Sequence, residues 1–236
     1  MKISTVGLAV IGDEILLGEV ADKNIRLIAR ELARLGADLA YVSILPDNFD
    51  TLVRHISWMM AEFDWVVTTG GIGTTHDDLT REAISAIIDK KLEEDPGIIR
   101  YLEDRIGSPV PIRLKKLAMI PEGARKVENP QTGVPGFTAE NLIVLPGIPK
   151  LVEEMIGALA ELIEGVPFYV KEVNSPLSES RIAQQLERIQ QGNPEVKIGS
   201  YPQSVSGKYR VKIVLRSRDI NALLKIEEMV KNQIGK

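Results

Sequence analysis

The sequence contains no cysteine, so neither disulfides nor thiol chemistry can contribute to its fold or its reactions. Histidine occurs twice, and a lone His76 in a polar loop makes a poor case for zinc. Aromatic residues are only 5% of the 236. No stretch approaches the roughly 20 apolar residues that a membrane span needs. The opening MKISTVGLAVIGDE begins like a signal, but Asp13 and Glu14 interrupt the apolar run too early. These absences predict a cytoplasmic protein with no membrane partner. Neither sign of charge dominates: the net charge is −4, which gives no global attraction for nucleic acid or anionic lipid. The charge is unevenly spread, however. Residues 166–236 hold 12 Lys/Arg against 7 Asp/Glu, whereas residues 1–165 hold 17 against 26.

With 44% hydrophobic and 26% charged residues, the composition is that of an ordinary globular chain. Thr5–Ile11 is a continuous apolar run, as expected of a strand buried on both faces, Leu39–Leu45 is a second apolar run, and Trp65–Thr69 and Asn141–Leu145 are further expected strands. Helical spacing separates them: Ile25, Ile28, Leu32 and Leu35, then Leu52, Ile56, Met60 and Phe63, then Thr80 to Lys90, and finally Lys150 to Ile163. Alternating strands and helices predict an α/β fold, a three-layer and mostly parallel sheet. Residues 92–135 are less regular. Gly165-Val166-Pro167 reads as a boundary, so the expected domains are 1–165 and 166–236. The second has the order βαββα, a smaller α+β unit with a helix over Ser178–Gln190 and a last helix over Ile220–Ile234. Within it, KYRVKIVLRSR puts Lys208, Arg210, Lys212, Arg216 and Arg218 opposite Tyr209, Val211, Ile213 and Leu215. That pattern is either a solvated strand face or a phosphate-binding stripe.

In parallel α/β sheets, ligands bind beyond the carboxyl ends of the strands. Three polar or glycine-bearing corners fall there: Gly12-Asp13-Glu14, Pro46-Asp47-Asn48 and the stretch TTGGIGTTHDDLT at 68–80. The last matches neither the dinucleotide-binding nor the P-loop fingerprint. Its glycines (Gly70, Gly71, Gly73) still suit a backbone nest for an anion, with Thr74 and Thr75 adding hydroxyls. The alternative is a tight turn with Asp78 or Thr80 capping the next helix. Two adjacent aspartates, Asp77 and Asp78, exceed what one cap requires. Carboxylates beside a phosphate repel it unless a divalent cation lies between them. Asp13, Glu14, Asp47, Asp77 and Asp78 are therefore the candidate ligands of Mg²⁺ or a similar ion. Gly12, Gly133, Gly136, Pro146 and Gly147 belong to further corners at 12, 132–137 and 145–149 that could line the same site or merely punctuate loops.

Taken together, GDEILLGEVADKN (12–24), ILPDN (44–48), TTGGIGTTHDDLT (68–80), KKLAMIPEGARKVENPQTGVPGF (115–137) and LPGIP (145–149) resemble the molybdopterin-binding-like domain of the competence/damage-inducible protein A (CinA) family. LSESRIAQQL (177–186) and EVKIGSYPQ (195–203) resemble that family's KH-like domain. The resemblance runs over essentially the whole chain and leaves the amidase domain of longer members without room in 236 residues. It implies a nucleotide or pterin ligand, Asp47 and Asp78 as catalytic residues, and Gly70–Thr75 as the cradle of a phosphate. The implied activity is metal-dependent hydrolysis of a phosphoanhydride in a nucleotide diphosphate such as ADP-ribose. Adenylyl transfer to molybdopterin, or ligand binding without catalysis, are the alternatives. It also implies a homo-oligomer, a dimer or trimer. Two departures stand out. Thr74 occupies a position where the family usually has proline, and KLVEEM follows LPGIP where the family commonly has Glu-Met. The tail lacks the G-x-x-G loop of nucleic-acid-binding KH domains, so no nucleic acid is expected.

Overall fold

The structure, a computed structural model, describes residues 3–129, 132–205 and 208–234. The chain divides into two compact units, Met1–Gly165 and Val166–Lys236. In the first, a six-stranded sheet is built from β1 (Thr5–Ile11), β2 (Asp38–Leu45), β3 (Trp65–Thr69), β6 (Arg125–Val127), β7 (Gly136–Ala139) and β8 (Leu142–Leu145), in the order β2-β1-β3-β8-β7-β6. The first four in that order run parallel, β7 runs antiparallel to them, and β6 pairs antiparallel with β7 at the edge. A separate ribbon pairs β4 (Leu92–Glu94) with β5 (Met119–Pro121). The fold is α/β and mostly parallel. The ribbon and β6 fall within the irregular stretch 92–135 and β7 directly after it, where no strand is expected from the sequence.

Side chains on a strand alternate between faces, and both faces are dry along β1, β3 and β8, whereas the edge strand β2 exposes Tyr41, Val42 and Ile44. Ala9, Ile11, Val66, Leu142 and Val144 belong to one core, while Leu8, Val10, Val67, Ile143 and Leu145 belong to the other. Helices α3 (Phe49–Glu62), α4 (Thr80–Ile87) and α5 (Pro96–Ile106) cover the first face. Helices α2 (Asn24–Leu35), α7 (Pro149–Met155) and α8 (Leu159–Leu162) cover the second. Two further short helices are α1 (Asp13–Leu16) and α6 (Ile112–Lys115). The α2 helix buries Ile28 and Leu32 and stops at Gly36, whose φ of 78° is left-handed. The Gly36 and Ala37 N–H groups bond back to Ala33 and Leu32, which closes the helix end. Removing a fully buried side chain from such a core, as in Leu8→Ala, costs about 2–5 kcal/mol.

Two helix expectations need correction. The helix expected over 150–163 is α7, a 3₁₀ turn at Ile156–Ala158, and α8, with Gly157 lying in the break. The α4 helix ends at Ile87 rather than Lys90, and Asp89 beyond it takes a positive φ of 51°. Of the Trp58-Met59-Met60 run, Met59 is fully buried, while the exposed Trp58 packs edge-on against Tyr41 and Phe63.

The second unit is a three-stranded antiparallel sheet of β9 (Tyr169–Ser175), β10 (Lys197–Val205) and β11 (Lys208–Ser217), in the order β10-β11-β9. Helices α9 (Glu179–Gly192) and α10 (Ile220–Ile234) share its core with Val211, Ile213 and Leu215. Of the basic run, Lys212 pairs with Glu172, and Arg218 donates to the Val166 carbonyl and lies over the Phe168 ring. Arg210 is exposed and Arg216 half-buried, while the side chains of Lys208 and Tyr209 lie outside the described residues.

A candidate anion-binding site at the carboxyl edge of the sheet

The carboxyl ends of β1, β2, β3 and β8 open onto a cavity of about 570 Å³ in the first unit. Gly12, Glu14, Asp47, Gly70, Gly71, Gly73, Asp77, Asp78, Pro146 and Gly147 all line it. Corners distant in sequence thus meet at one place. The glycines permit the meeting. A Cβ on Gly70, whose φ is 99°, would stand 2.1 Å from the Ile11 carbonyl oxygen, and one on Gly147 would stand 3.2 Å from Gly70 Cα. Only backbone without side chains stacks this closely.

The Pro46-Asp47-Asn48 corner divides its tasks. Asn48 is the N-cap of α3, accepting from the Thr51 N–H at 3.0 Å. Asp47 is left to reach across to the first corner, where its Oδ2 accepts from the Asp13 N–H at 3.0 Å. In return, Asp13 Oδ1 accepts from the Asp47 N–H at 3.3 Å. Burial raises the Asp47 pKa above the ordinary carboxylate value, and the charges of Asp13, Glu14 and Asp77 push in the same direction, with the Asp13 N–H opposing them.

Asp78 does not cap α4. The N-cap position is Leu79, with no side-chain cap, and the Thr80 hydroxyl donates instead to the Gly70 carbonyl at 3.0 Å. Asp78 turns back into its own loop. It accepts from the Gly73 N–H at 2.6 Å, from the Thr75 N–H at 2.8 Å and from the Thr75 hydroxyl at 2.5 Å. In this structure the Gly73 and Thr75 N–H groups of the glycine corner are both turned on the Asp78 carboxylate. The loop's carbonyls face two cations. Arg81 Nη1 donates to Ile72 O at 2.5 Å, and Lys116 Nζ donates to Thr75 O at 3.1 Å and Asp78 O at 2.5 Å.

Asp13, Thr74, Thr75, Gly133 and Gly136 are not among the residues lining the cavity. Asp13 and Thr75 act on it at one remove, through Asp47 and Asp78. Gly133 lies under the Tyr101 ring and Gly136 against the Val144 carbonyl, where a Cβ would stand 2.2 and 2.1 Å from the nearest atom. Those two glycines serve packing. The sequence reading missed Asn24, which is 3% exposed, lines the cavity and donates from Nδ2 to the Gly147 carbonyl at 2.8 Å. It also missed an apolar wall that includes Ile15, Val20, Ile72, Leu117 and Ile148. Arg81 escaped it as well, although a charge in register with the apolar Ile84 of α4 was a readable signal.

Among the described residues, no group of three or more His, Cys, Asp or Glu side chains is arranged to hold a metal ion. The donor set still suits Mg²⁺, which is commonly held by one or two carboxylates and completes its shell with water and ligand phosphate oxygens. Repulsion from Asp13, Glu14 and Asp77 contributes to the raised pKa of Asp47, after burial. No helix among the described residues is long and apolar enough to cross a membrane.

Comparison with known proteins agrees with this geometry. Residues 7–165 match the family described as "Probable molybdopterin binding domain", and residues 167–236 match "FAD synthase, middle domain". A CinA-like protein of Deinococcus deserti is 33% identical over 79% of this chain and 50% of its own. A protein of Caenorhabditis briggsae named "Probable FAD synthase" is 26% identical over 93% of this chain and 47% of its own. The chain spans about half the length of these two curated relatives. The crystal structure of the protein CinA from Thermoplasma acidophilum superposes with a TM-score of 0.63 at 27% identity, over 67% of this chain and 97% of that one. The chain belongs to the CinA family, with a molybdopterin-binding domain followed in sequence by a FAD synthase-type middle domain.

Proposed function

We propose that the cavity binds a nucleotide diphosphate such as ADP-ribose and supports hydrolysis of its phosphoanhydride. The observation that carries this reading is the meeting of an apolar wall, three glycine-bearing corners and five carboxylates (Glu14, Asp22, Asp47, Asp77 and Asp78) around one space of about 570 Å³. A flat heteroaromatic base suits the wall formed by Ile15, Val20 and Ile148, and the diphosphate suits the polar end. Asp47 and Asp78 are the residues that would hold a Mg²⁺-class ion, with water and ligand oxygens completing its shell. When bound, such an ion screens the carboxylates from the phosphates and acts as a Lewis acid.

The chain's own groups have separate tasks. In this reading Asp47, half-buried and with its pKa raised by burial, takes a proton from the attacking water. Asp78, held by three donors, keeps a fixed negative edge on the glycine corner. Water adds to one phosphorus, the bridging P–O bond breaks, and ADP-ribose yields AMP and ribose 5-phosphate with release of the water's proton. The test is incubation of the purified chain with ADP-ribose, with and without Mg²⁺, and chromatography for AMP. Metal-dependent AMP release is the expected result, and its absence at every divalent metal tried removes the hydrolase reading.

The family match favours one second reading, adenylyl transfer to a molybdopterin, because the same wall accommodates a pterin ring. Incubation with Mg-ATP and molybdopterin separates the two by the product formed.

A further inference from the structure

Arg81 is 1% exposed, one of the largest fully buried side chains in the molecule. It sits in the first turn of α4, directly behind the glycine corner. Nη1 donates to Ile72 O at 2.5 Å and more loosely to Gly73 O at 3.4 Å, while Nε is buried with no hydrogen-bond partner among the described residues. Its carboxylate neighbours are Glu82 and Asp78, and burial lowers its pKa to about 10, so it remains a cation at neutral pH. A buried charge is costly unless it is compensated, so a guanidinium held chiefly by two peptide carbonyls calls for an account.

The peptide geometry supplies one. In a planar trans peptide the C=O and N–H point in opposite directions. The Ile72–Gly73 peptide therefore has its carbonyl on Arg81 and its N–H on Asp78 Oδ1, at 2.5 and 2.6 Å. A buried cation and a carboxylate at the cavity rim sit at the two ends of one polarised peptide unit, and each strengthens the other's hydrogen bond.

We propose that Arg81 is a positioning residue of the site, acting through the Ile72–Gly73 peptide to fix the Asp78 carboxylate at the cavity rim. Its part in ligand handling rests on the nucleotide reading above. Its coupling to Asp78 does not.

The test is a double-mutant cycle with Arg81→Gln, which keeps a hydrogen-bond donor and loses the charge, Asp78→Asn, and the double variant, with Arg81→Lys as the conservative control. In urea unfolding of the ligand-free chain, the Gln and Asn substitutions are expected to shift the midpoint non-additively, with the double variant losing clearly less than the two singles together. In calorimetric titration with ADP-ribose and Mg²⁺, Arg81→Gln is expected to weaken binding about tenfold in the wild-type background and less than about threefold beside Asp78→Asn. Arg81→Lys is expected to stay within about threefold of wild type, because it restores the charge. Additive midpoint shifts overturn the proposal. So does an equal loss of affinity in both backgrounds, or a chain that folds with neither Lys nor Gln at 81, since each makes Arg81 a structural residue only. If the wild-type chain binds no ADP-ribose, the nucleotide reading falls, and the urea cycle still decides whether Arg81 governs Asp78.

Discussion

The two glycine-rich corners of the first unit, 70–78 and 132–136, are alike in composition and differ in what surrounds them. Both bring backbone against backbone: Gly70 against the Ile11 carbonyl, Gly136 against the Val144 carbonyl. Both also use a left-handed glycine, Gly71 at φ 65° and Gly133 at φ 63°. At the first corner the strand ends open onto the cavity, and carboxylates and two buttressing cations gather there. At the second, Gly133 and Gly136 are taken up by the Tyr101 ring and by strand packing, although the adjacent Thr132 and Val134 still reach the cavity wall. Glycine thus reports a close approach, and only the neighbours say whether a ligand or the protein itself is being approached.

The comparison can be broken first at the packing both corners share. Gly70→Ala and Gly136→Ala are each expected to cost about 3 kcal/mol or more in urea unfolding, because the new Cβ meets a carbonyl oxygen that belongs to the sheet. Either variant retaining wild-type stability would show that the strand ends are not in contact. The sharpest contrast comes next. Asp78→Ala is expected to reduce AMP release from ADP-ribose by about a hundredfold, roughly 2.7 kcal/mol of barrier, while circular dichroism stays native. Gly133→Ala is expected to lose about 1–2 kcal/mol of stability against the Tyr101 ring and to leave turnover per folded molecule unchanged. A turnover defect there would place the second corner in the site.

The smallest effect concerns pH. Burial raises the Asp47 pKa, so the folded chain holds that proton more tightly than the unfolded one. The stabilising contribution of this group is complete below its unfolded pKa, near the ordinary 3.8, and is lost as pH rises through the folded value. Asp47→Asn carries no such charge, so its urea midpoint relative to wild type is expected to climb over that interval and to stay higher at pH 7, while activity falls. A constant difference across pH would mean that Asp47 is not desolvated.

Much of this was readable in the chain. Continuous apolar runs such as Thr5–Ile11 give buried parallel strands, helical spacing gives the layers, and the order of elements brings Asp47 and Asp78 to one edge. The return strands β6 and β7 and the β4–β5 ribbon were hidden because they are three or four residues long, too short to establish a period of two. The direction of Asp78 was hidden for another reason. From sequence, an aspartate two residues before a helix reads as a cap, and only coordinates show it serving Gly73 and Thr75 instead. Arg81 and Asn24 were passed over because charged and amide side chains on helices are usually solvated.

The hydrogen bond from Asn24 to Gly147 joins residues 123 positions apart, and the cavity walls run from Val10 to Leu151. A fragment that starts after Val10 or ends before Leu151 lacks part of the wall, so whatever fits the cavity recognises the folded unit. Binding that is confined to the native state raises the melting temperature with the logarithm of ligand concentration over Kd. A thermal-shift panel of purines, pterins and dinucleotides on the intact chain would therefore rank candidate ligands before any reaction is assayed.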